Sequence, residues 1–204
     1  MKALLRFAVF FLCVCTLTGC TQNELPAYLT GNRNAIRYRD IPWYITSEEL
    51  IDREKLSADT FDYFPYTGSL PENIVRKEPI PIEGLPLSAY VSYRFLSEGQ
   101  SEVTGLHEIV LVFLSEDEAT CIETRNLILE RLQKLAPPLS KPGQELSFEE
   151  AKNTPVTEEI GCQADDLSAI SVAVYPPDVT SREGQYGTYL TIRAGLSTST
   201  GTQN

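Results

Sequence analysis

The chain has 204 residues, of which 42% are hydrophobic and 22% are charged. This hydrophobic content is sufficient for a packed core, which excludes an intrinsically disordered chain. With 28 acidic and 17 basic residues, the formal net charge is −11, so nucleic acid and anionic lipid surfaces are disfavoured as partners. The same charge is compatible with a basic protein partner, or simply with solubility.

The first 20 residues have the layout of a secretory signal. Lys2 and Arg6 form a basic start, an apolar run extends from Phe7 to Leu17, and small residues follow. The sequence Leu17-Thr18-Gly19-Cys20 resembles the lipobox of bacterial lipoproteins, which are cleaved before the cysteine and acylated on it. The resemblance implies a signal peptide over residues 1–19 and lipidation of the chain at Cys20.

This resemblance also implies a location. Two or three acyl chains hold a protein stably on a membrane, whereas a single chain binds only marginally. Because Thr21, rather than an aspartate, follows Cys20, a lipoprotein of a Gram-negative cell is expected at the outer membrane, facing the periplasm. One alternative is an ordinary cleaved signal with an incidental cysteine. A retained spanning helix is disfavoured, because it needs ~20 apolar residues and this run has fewer.

Two further cysteines, Cys121 and Cys162, lie beyond the lipobox. An exported protein meets an oxidising compartment, so this pair predicts a disulfide bond. The alternative is two separate buried thiols. A metal site is disfavoured, because no Cys-x-x-Cys is present and the single histidine, His107, lies elsewhere in the sequence.

Residues 20–47 are predicted to form a tether between the lipid anchor and the domain. Breaker residues such as Pro26 and Gly31 interrupt this segment. Near its end stand the aromatic residues Trp43 and Tyr44, which either contact a partner or lipid headgroups, or pack back onto the domain.

A single domain is predicted over residues 48–196. An aromatic cluster spans residues 61–66, and the prolines of residues 70–87 indicate an extended surface segment that cannot be a central strand. Exposed aromatic residues would form a docking surface, whereas covered ones would belong to the core. The candidate partner-binding patch comprises Trp43, Tyr44, Phe61, Tyr63, Phe64 and Tyr66.

Helix starts are indicated at three places. Thr46 precedes acidic residues and an apolar run, which is typical of a short helix. Ser115 with Glu118, and Ser147 with Glu150, have the spacing of capping boxes, in which each residue bonds a backbone N–H group of the other. The first box is expected to open a long helix over residues 116–135, whose apolar residues share one face.

The strands of the domain are predicted from alternating or continuous apolar runs over residues 89–96, 106–114, 169–175 and 188–196. Their order predicts an α+β fold, a mostly antiparallel sheet of about four strands (β-β-α-β-β) with one main helix packed on one face. The Ser/Thr/Gly-rich residues 197–204 are predicted to be a disordered tail.

No catalytic residue, metal ligand or cofactor is predicted. His107 lies beside Glu108, but no Gly-x-Ser-x-Gly or Ser-x-x-Lys motif supplies a nucleophile. The pairs Glu158-Glu159 and Asp165-Asp166 would suit acid and base roles, but they stand in polar loop sequence, where solvated acids are the rule. Phosphate-binding and dinucleotide-binding glycine motifs are absent from the sequence.

These features favour a membrane-anchored envelope lipoprotein that acts as a non-enzymatic binding, scaffold or assembly-accessory domain. Its expected partners are the membrane, through the lipid anchor, and an envelope protein that the sequence does not identify. An inhibitor or immunity lipoprotein, directed against a basic periplasmic toxin or hydrolase, is the alternative. A carboxylate-based hydrolase is a third class, and it requires two acids that converge in a pocket with perturbed pKa values.

Overall fold

A computed structural model describes residues 28–68, 70–97, 104–135, 138–180 and 184–195. The strands are β1 (Leu29–Asn32), β2 (Ala35–Tyr38), β3 (Phe61–Phe64), β4 (Glu72–Arg76), β5 (Ala89–Leu96), β6 (Gly105–Ser115), β7 (Leu139–Lys141), β8 (Gln144–Leu146), β9 (Ile160–Gln163), β10 (Ala169–Tyr175) and β11 (Tyr186–Arg193). The helices are α1 (Ser47–Arg53), α2 (Glu118–Lys134) and α3 (Phe148–Asn153). The predicted signal peptide, the lipidation residue Cys20 and the predicted tail lie outside the described residues.

Nine strands form one antiparallel sheet in the order β3-β4-β5-β6-β11-β10-β9-β7-β8, and β1 pairs with β2 in a separate hairpin. The expectation of an α+β fold with about four strands and one main helix is therefore wrong, because the described chain is mostly β-structure. The four predicted strands are present as the neighbouring central strands β5, β6, β11 and β10. The strands outside them have three to five residues each, too few for an alternating pattern to stand out.

Strand β4 is an interior strand within the proline-containing segment. It pairs with β3 on one side and with β5 on the other. Pro71 and Pro79 stand outside its bounds, where they remove no backbone N–H group from the sheet. The prediction that no part of residues 70–87 is a central strand is thus wrong.

The helices begin at or near the predicted positions. Thr46 and Ser147 open α1 and α3, which confirms both predicted helix starts. The predicted capping box of Ser147 with Glu150 is present, and Thr46 forms another with Glu49. Helix α2, in contrast, is capped by Asp117, whose carboxylate accepts two backbone N–H groups of the first turn. Ser115 is the last residue of β6, and its hydroxyl accepts the N–H of Asp117 (3.0 Å) instead of capping the helix with Glu118.

The large sheet has one covered face. Cross-strand register places Tyr93, Ile109, Ile192 and Ile170 in one row across β5, β6, β11 and β10, and each is at most 2% exposed. Helix α2 packs against β6, β10 and β11. Its buried residues join the same hydrophobic cluster as this row and the β1–β2 hairpin, so one core holds the described elements together.

The β1–β2 hairpin belongs to this core rather than to a tether. Ile36 and Tyr38 are fully buried, and the ring of Tyr38 meets that of Tyr93 edge to face, with 6.5 Å between the ring centroids. The N–H of Ile36 donates to the hydroxyl of Ser168 (2.9 Å), which lies 132 residues later in the chain. The described part of the predicted tether, residues 28–47, therefore packs into the domain.

Cys121 and Cys162 are both buried and both free. The hydroxyl of Thr188 donates to the carbonyl of Cys121 (2.8 Å), and Thr188 pairs with Val174 of β10. Cys162 pairs with Ile170, four residues from Val174 along the same strand, which is ~13 Å at the usual rise of a strand. A disulfide needs α-carbons within about 7 Å. The structure therefore has two separate buried thiols and not the predicted disulfide bond.

Candidate functional site

Strand β3 is an edge of the large sheet, and only β4 pairs with it among the described strands. At the start of this pairing, the N–H of Lys77 donates to the carbonyl of Thr60 (3.1 Å). Thr60 and Lys77 are thus a hydrogen-bonded pair, and in an antiparallel ladder such pairs alternate with non-hydrogen-bonded ones. The next residue, Phe61, and then Tyr63 therefore occupy non-hydrogen-bonded positions, so their backbone N–H and C=O groups are directed away from β4. This edge can therefore accept a further strand.

Four large apolar side chains at or next to this edge are exposed. Tyr63, Phe64 and Tyr66 are 49%, 51% and 38% exposed, and Leu70 is 65% exposed. These four are among only six large hydrophobic side chains that are exposed in the described part of the chain, so the exposure is concentrated here. Phe61, by contrast, packs partly against the core. We call Tyr63, Phe64, Tyr66 and Leu70 the aromatic edge.

Carboxylates surround the aromatic edge. The hydroxyl of Tyr63 donates to Glu72 (3.1 Å). Partial burial and, next, the carboxylate of Glu72 raise the pKa of Tyr63, and Glu48 of α1 acts in the same direction. Asp62 forms an ion pair with Lys77 (3.6 Å). The local charge is therefore mainly negative, in keeping with the whole chain.

Trp43 and Tyr44, the other members of the predicted patch, lie in a different place. Both are half-buried, and Trp43 packs against the core. The hydroxyl of Tyr44 donates to the carbonyl of Gly195 (2.7 Å). The backbone oxygen of Tyr44 lies so close to Gly105 that a Cβ at position 105 would collide with it. Gly105 also has a φ of +104°, a conformation that favours glycine. The predicted patch is thus split, and its exposed members are Tyr63, Phe64 and Tyr66.

Of the residues considered for catalysis, each acid pair has an ionic partner, whereas the buried Nδ1 of His107 has no hydrogen-bond partner among the described residues. His107 is half-buried on β6, and its pKa is lowered, mainly by burial. Glu158 pairs with Lys141 (3.1 Å), and Asp165 pairs with Arg33 (3.7 Å), so both predicted acid pairs contribute to surface ion pairs. No group of three or more residues with metal-ligating side chains occurs within the ranges that the structure describes.

A buried charged cluster that the sequence analysis missed lies next to the hairpin. One oxygen of Glu54, Oε2, accepts hydrogen bonds from Arg76 (2.9 Å), Arg39 (3.2 Å) and the hydroxyl of Tyr93 (3.2 Å). The Glu54 side chain is only 8% exposed. Burial raises the pKa of Tyr93 well above its ordinary value. The four residues come from four different elements or loops, so no spacing in the sequence signals the cluster.

Comparison with protein-family models, with curated proteins and with solved structures gives no match for this chain. No helix among the described residues is long and apolar enough to cross a membrane.

Proposed function

We propose that this chain is a lipid-anchored envelope lipoprotein whose domain binds an envelope protein by strand addition, in a non-enzymatic scaffold or assembly-accessory role. The aromatic edge beside the open backbone of β3 is the observation that carries the binding role. The lipobox-like sequence that ends at Cys20 supports the anchor. A domain held at a membrane meets its partner at high effective concentration, so a short edge strand suffices as the docking element.

The partner segment of this proposal is extended, basic and partly apolar. Hydrogen bonds to the outward backbone groups of Phe61 and Tyr63 supply affinity, as in other strand additions. Successive side chains of a strand point to opposite faces, so the added strand contacts Tyr63 on one face and Phe64 on the other. The carboxylates of Glu48 and Glu72 and the net charge of −11 favour lysine or arginine in the partner.

The anchor is tested by a crosslinking pull-down from native membranes, with intact-mass analysis of the full-length protein and of its Cys20→Ser variant. Addition of a diacylglyceryl group to the parent alone supports the lipoprotein assignment. An unmodified parent contradicts it. Capture of a basic toxin or hydrolase as the partner would favour the inhibitor function over a scaffold.

Strand addition is tested in the same pull-down by two variants at one position. Tyr63→Pro removes an N–H that is directed away from β4 and leaves the β3–β4 hydrogen bonds in place. Tyr63→Ala keeps that N–H and removes only the side chain. We expect Tyr63→Pro to lose the partner and Tyr63→Ala to retain part of it.

The matched control is Leu167→Ala, because Leu167 is also an exposed large hydrophobic residue (48%) but lies outside β3. This variant should recover the partner as the parent does. Recovery of the same partner at the same yield by Tyr63→Pro would overturn the proposal that the partner adds a strand to β3.

A further inference from the structure

An open cavity of about 440 Å³ lies where the segment after β2 meets the turn between β9 and β10. Two aromatic residues, Trp43 and Tyr44, and three charged ones, Arg37, Asp40 and Asp166, line it. Every residue of the lining is half-buried or exposed, so each has surface that a ligand can reach. The volume is within the range of small-molecule sites, and no residue of the aromatic edge takes part in the lining.

The backbone around this cavity has an unusual conformation. Asp40 (φ +57°) and Tyr44 (φ +65°) of the lining are left-handed, although neither is glycine. Arg39 (φ +48°), which precedes Asp40, and Leu167 (φ +66°), which follows Asp166, share this conformation. Four of the five non-glycine residues with positive φ in the described ranges therefore stand in or next to the lining. Such backbone costs free energy and is concentrated at functional sites, so its position here points to a ligand site.

Hydrogen bonds from other parts of the chain hold this backbone in place. The hydroxyl of Tyr44 donates to the carbonyl of Gly195 (2.7 Å), beyond the end of β11. The guanidinium of Arg53, on α1, donates to the carbonyl of Asp40 (3.1 Å). The cavity is therefore preformed, and a ligand need not order its walls when it binds.

The charged residues of the lining keep hydrogen-bonding capacity for a ligand. One oxygen of Asp40, Oδ1, accepts a hydrogen bond from the hydroxyl of Thr30 (2.7 Å), and Oδ1 of Asp166 accepts from the hydroxyl and the N–H of Ser168. The Oδ2 atoms of both carboxylates, and the guanidinium of Arg37, have no hydrogen-bond or ion-pair partner within the ranges that the structure describes. The lining therefore offers two charged acceptors and one charged donor.

We propose that this cavity binds the pyranose ring of a saccharide whose hydroxyls are equatorial. A hydroxyl both donates and accepts, so it suits the carboxylates of Asp40 and Asp166 as well as the guanidinium of Arg37. Equatorial hydroxyls leave the two faces of the ring apolar, and one of these faces lies against Trp43. An anionic ligand would meet two carboxylates, and a wholly apolar one would displace water from three charged groups, so neither fits the lining.

Trp43 is the single tryptophan of the chain, so its fluorescence reports binding at the cavity itself. The test is a fluorescence titration of the purified full-length protein with cellobiose, whose ring hydroxyls are equatorial, compared with sorbitol and phenylalanine. We expect a saturable change with cellobiose. Both other probes should bind at least about fivefold more weakly, because sorbitol has no ring face and phenylalanine has no hydroxyl. The absence of a saturable change with cellobiose, or equal binding of either other probe, would overturn the proposal.

A variant of Arg37 tests the polar part of the site. Arg37→Gln removes the guanidinium without breaking a bond to any described residue, and it should weaken cellobiose binding by about fivefold or more. Arg33→Gln is the matched control, because it makes the same change in the same hairpin at a side chain that is 71% exposed and outside the lining, and it should bind as the parent does. Unchanged binding by Arg37→Gln would overturn the proposal. The strand-addition proposal depends on β3 and not on this cavity, so the two proposals fail independently.

Discussion

Three donors, from Arg39, Arg76 and Tyr93, converge on a single carboxylate oxygen of Glu54. The Glu54 side chain is almost inaccessible to water, so a lost donor is not readily replaced. Tyr38 lies close by and is as deeply buried as Tyr93, but its hydroxyl interacts with the guanidinium of Arg39 and does not donate to Glu54. The two neighbouring tyrosines are therefore expected to contribute unequally to stability.

This difference predicts unequal effects of removing the two hydroxyls. Tyr93→Phe should lower the free energy of unfolding by about 2 kcal/mol, because it removes a hydrogen bond to a charged carboxylate. Tyr38→Phe should lower it by much less, since the Tyr38 hydroxyl makes no hydrogen bond to a carboxylate among the described residues. Urea denaturation of the two variants and the parent gives both values. An equal loss in both variants would contradict this difference.

The buried acidic protons make the fold sensitive to alkali. Burial raises the pKa of Cys162 from 9.0 to about 12, and it raises the pKa of Tyr38 and of Tyr93. The unfolded chain releases these protons first, so their contribution to stability is complete below about pH 9 and is lost as the pH rises toward 12. Urea denaturation between about pH 8 and pH 11 should show this fall.

The Cys162→Ala variant is the control for that pH dependence. It removes one buried thiol, and thiols ionise before tyrosines in the unfolded chain, so its stability should fall less steeply with pH than that of the parent. Parallel pH profiles for the two proteins would contradict a raised pKa at Cys162.

At the scale of single elements, the sequence predicts the strands and the helix whose hydrophobic pattern extends over many residues. Strands β5, β6, β10 and β11 have seven to eleven residues and α2 has seventeen, and all five appear close to their predicted bounds. Strand β3 is missed because its four residues look like an aromatic cluster before Pro65. Its strand character comes from pairing with β4, which a local pattern does not contain.

Prediction of the candidate site from sequence is limited in the same way, because it identifies residues but not their exposure. Phe61, Tyr63, Phe64 and Tyr66 are predicted from composition alone, because clustered aromatic residues are conspicuous in a sequence. The exposure of Tyr63, Phe64 and Tyr66, and the open backbone beside them, depend on β3 being the edge of the sheet, which is a tertiary property. The cluster around Glu54 depends on the fold even more strongly, since its members have no common spacing.

A charged row crosses three central strands on the sheet face opposite the core. Glu108 of β6 pairs in register with Arg94 of β5 and Arg193 of β11, and its carboxylate reaches their guanidinium groups at 3.3 and 3.6 Å. Glu108→Gln should lower the free energy of unfolding by about 1 kcal/mol, because both arginines are partly exposed and screened.

The measurement for this row is urea denaturation at low and at high salt. The loss should shrink at high salt, where charge interactions are screened. Glu158→Gln breaks a single ion pair, and the Glu158 side chain is 44% exposed, against 10% for that of Glu108, so this variant should cost less at either salt concentration. A cost for Glu108→Gln that does not depend on salt would show that packing, and not charge, explains it.

At the scale of the whole molecule, contacts from the N-terminal hairpin close the domain. Besides the bond from Ile36 to Ser168, the guanidinium of Arg131 on α2 donates to the carbonyl of Leu29 (3.3 Å). These bonds join residues more than 100 positions apart in the sequence. The hairpin is therefore part of the same cooperative unit as α2 and the sheet, and the predicted tether can extend no further than the residues before it.

The last prediction distinguishes a folded hairpin from a tether. Ile36→Ala should lower the free energy of unfolding by about 2 to 5 kcal/mol, because the Ile36 side chain is fully buried and its loss leaves a cavity. Arg33→Ala is the control, since the Arg33 side chain is 71% exposed in the same hairpin, and it should change stability by less than about 0.5 kcal/mol. A single urea transition that shifts only for Ile36→Ala would establish the hairpin as part of the core. If neither variant shifts the transition, residues 28–38 unfold separately from the rest of the domain.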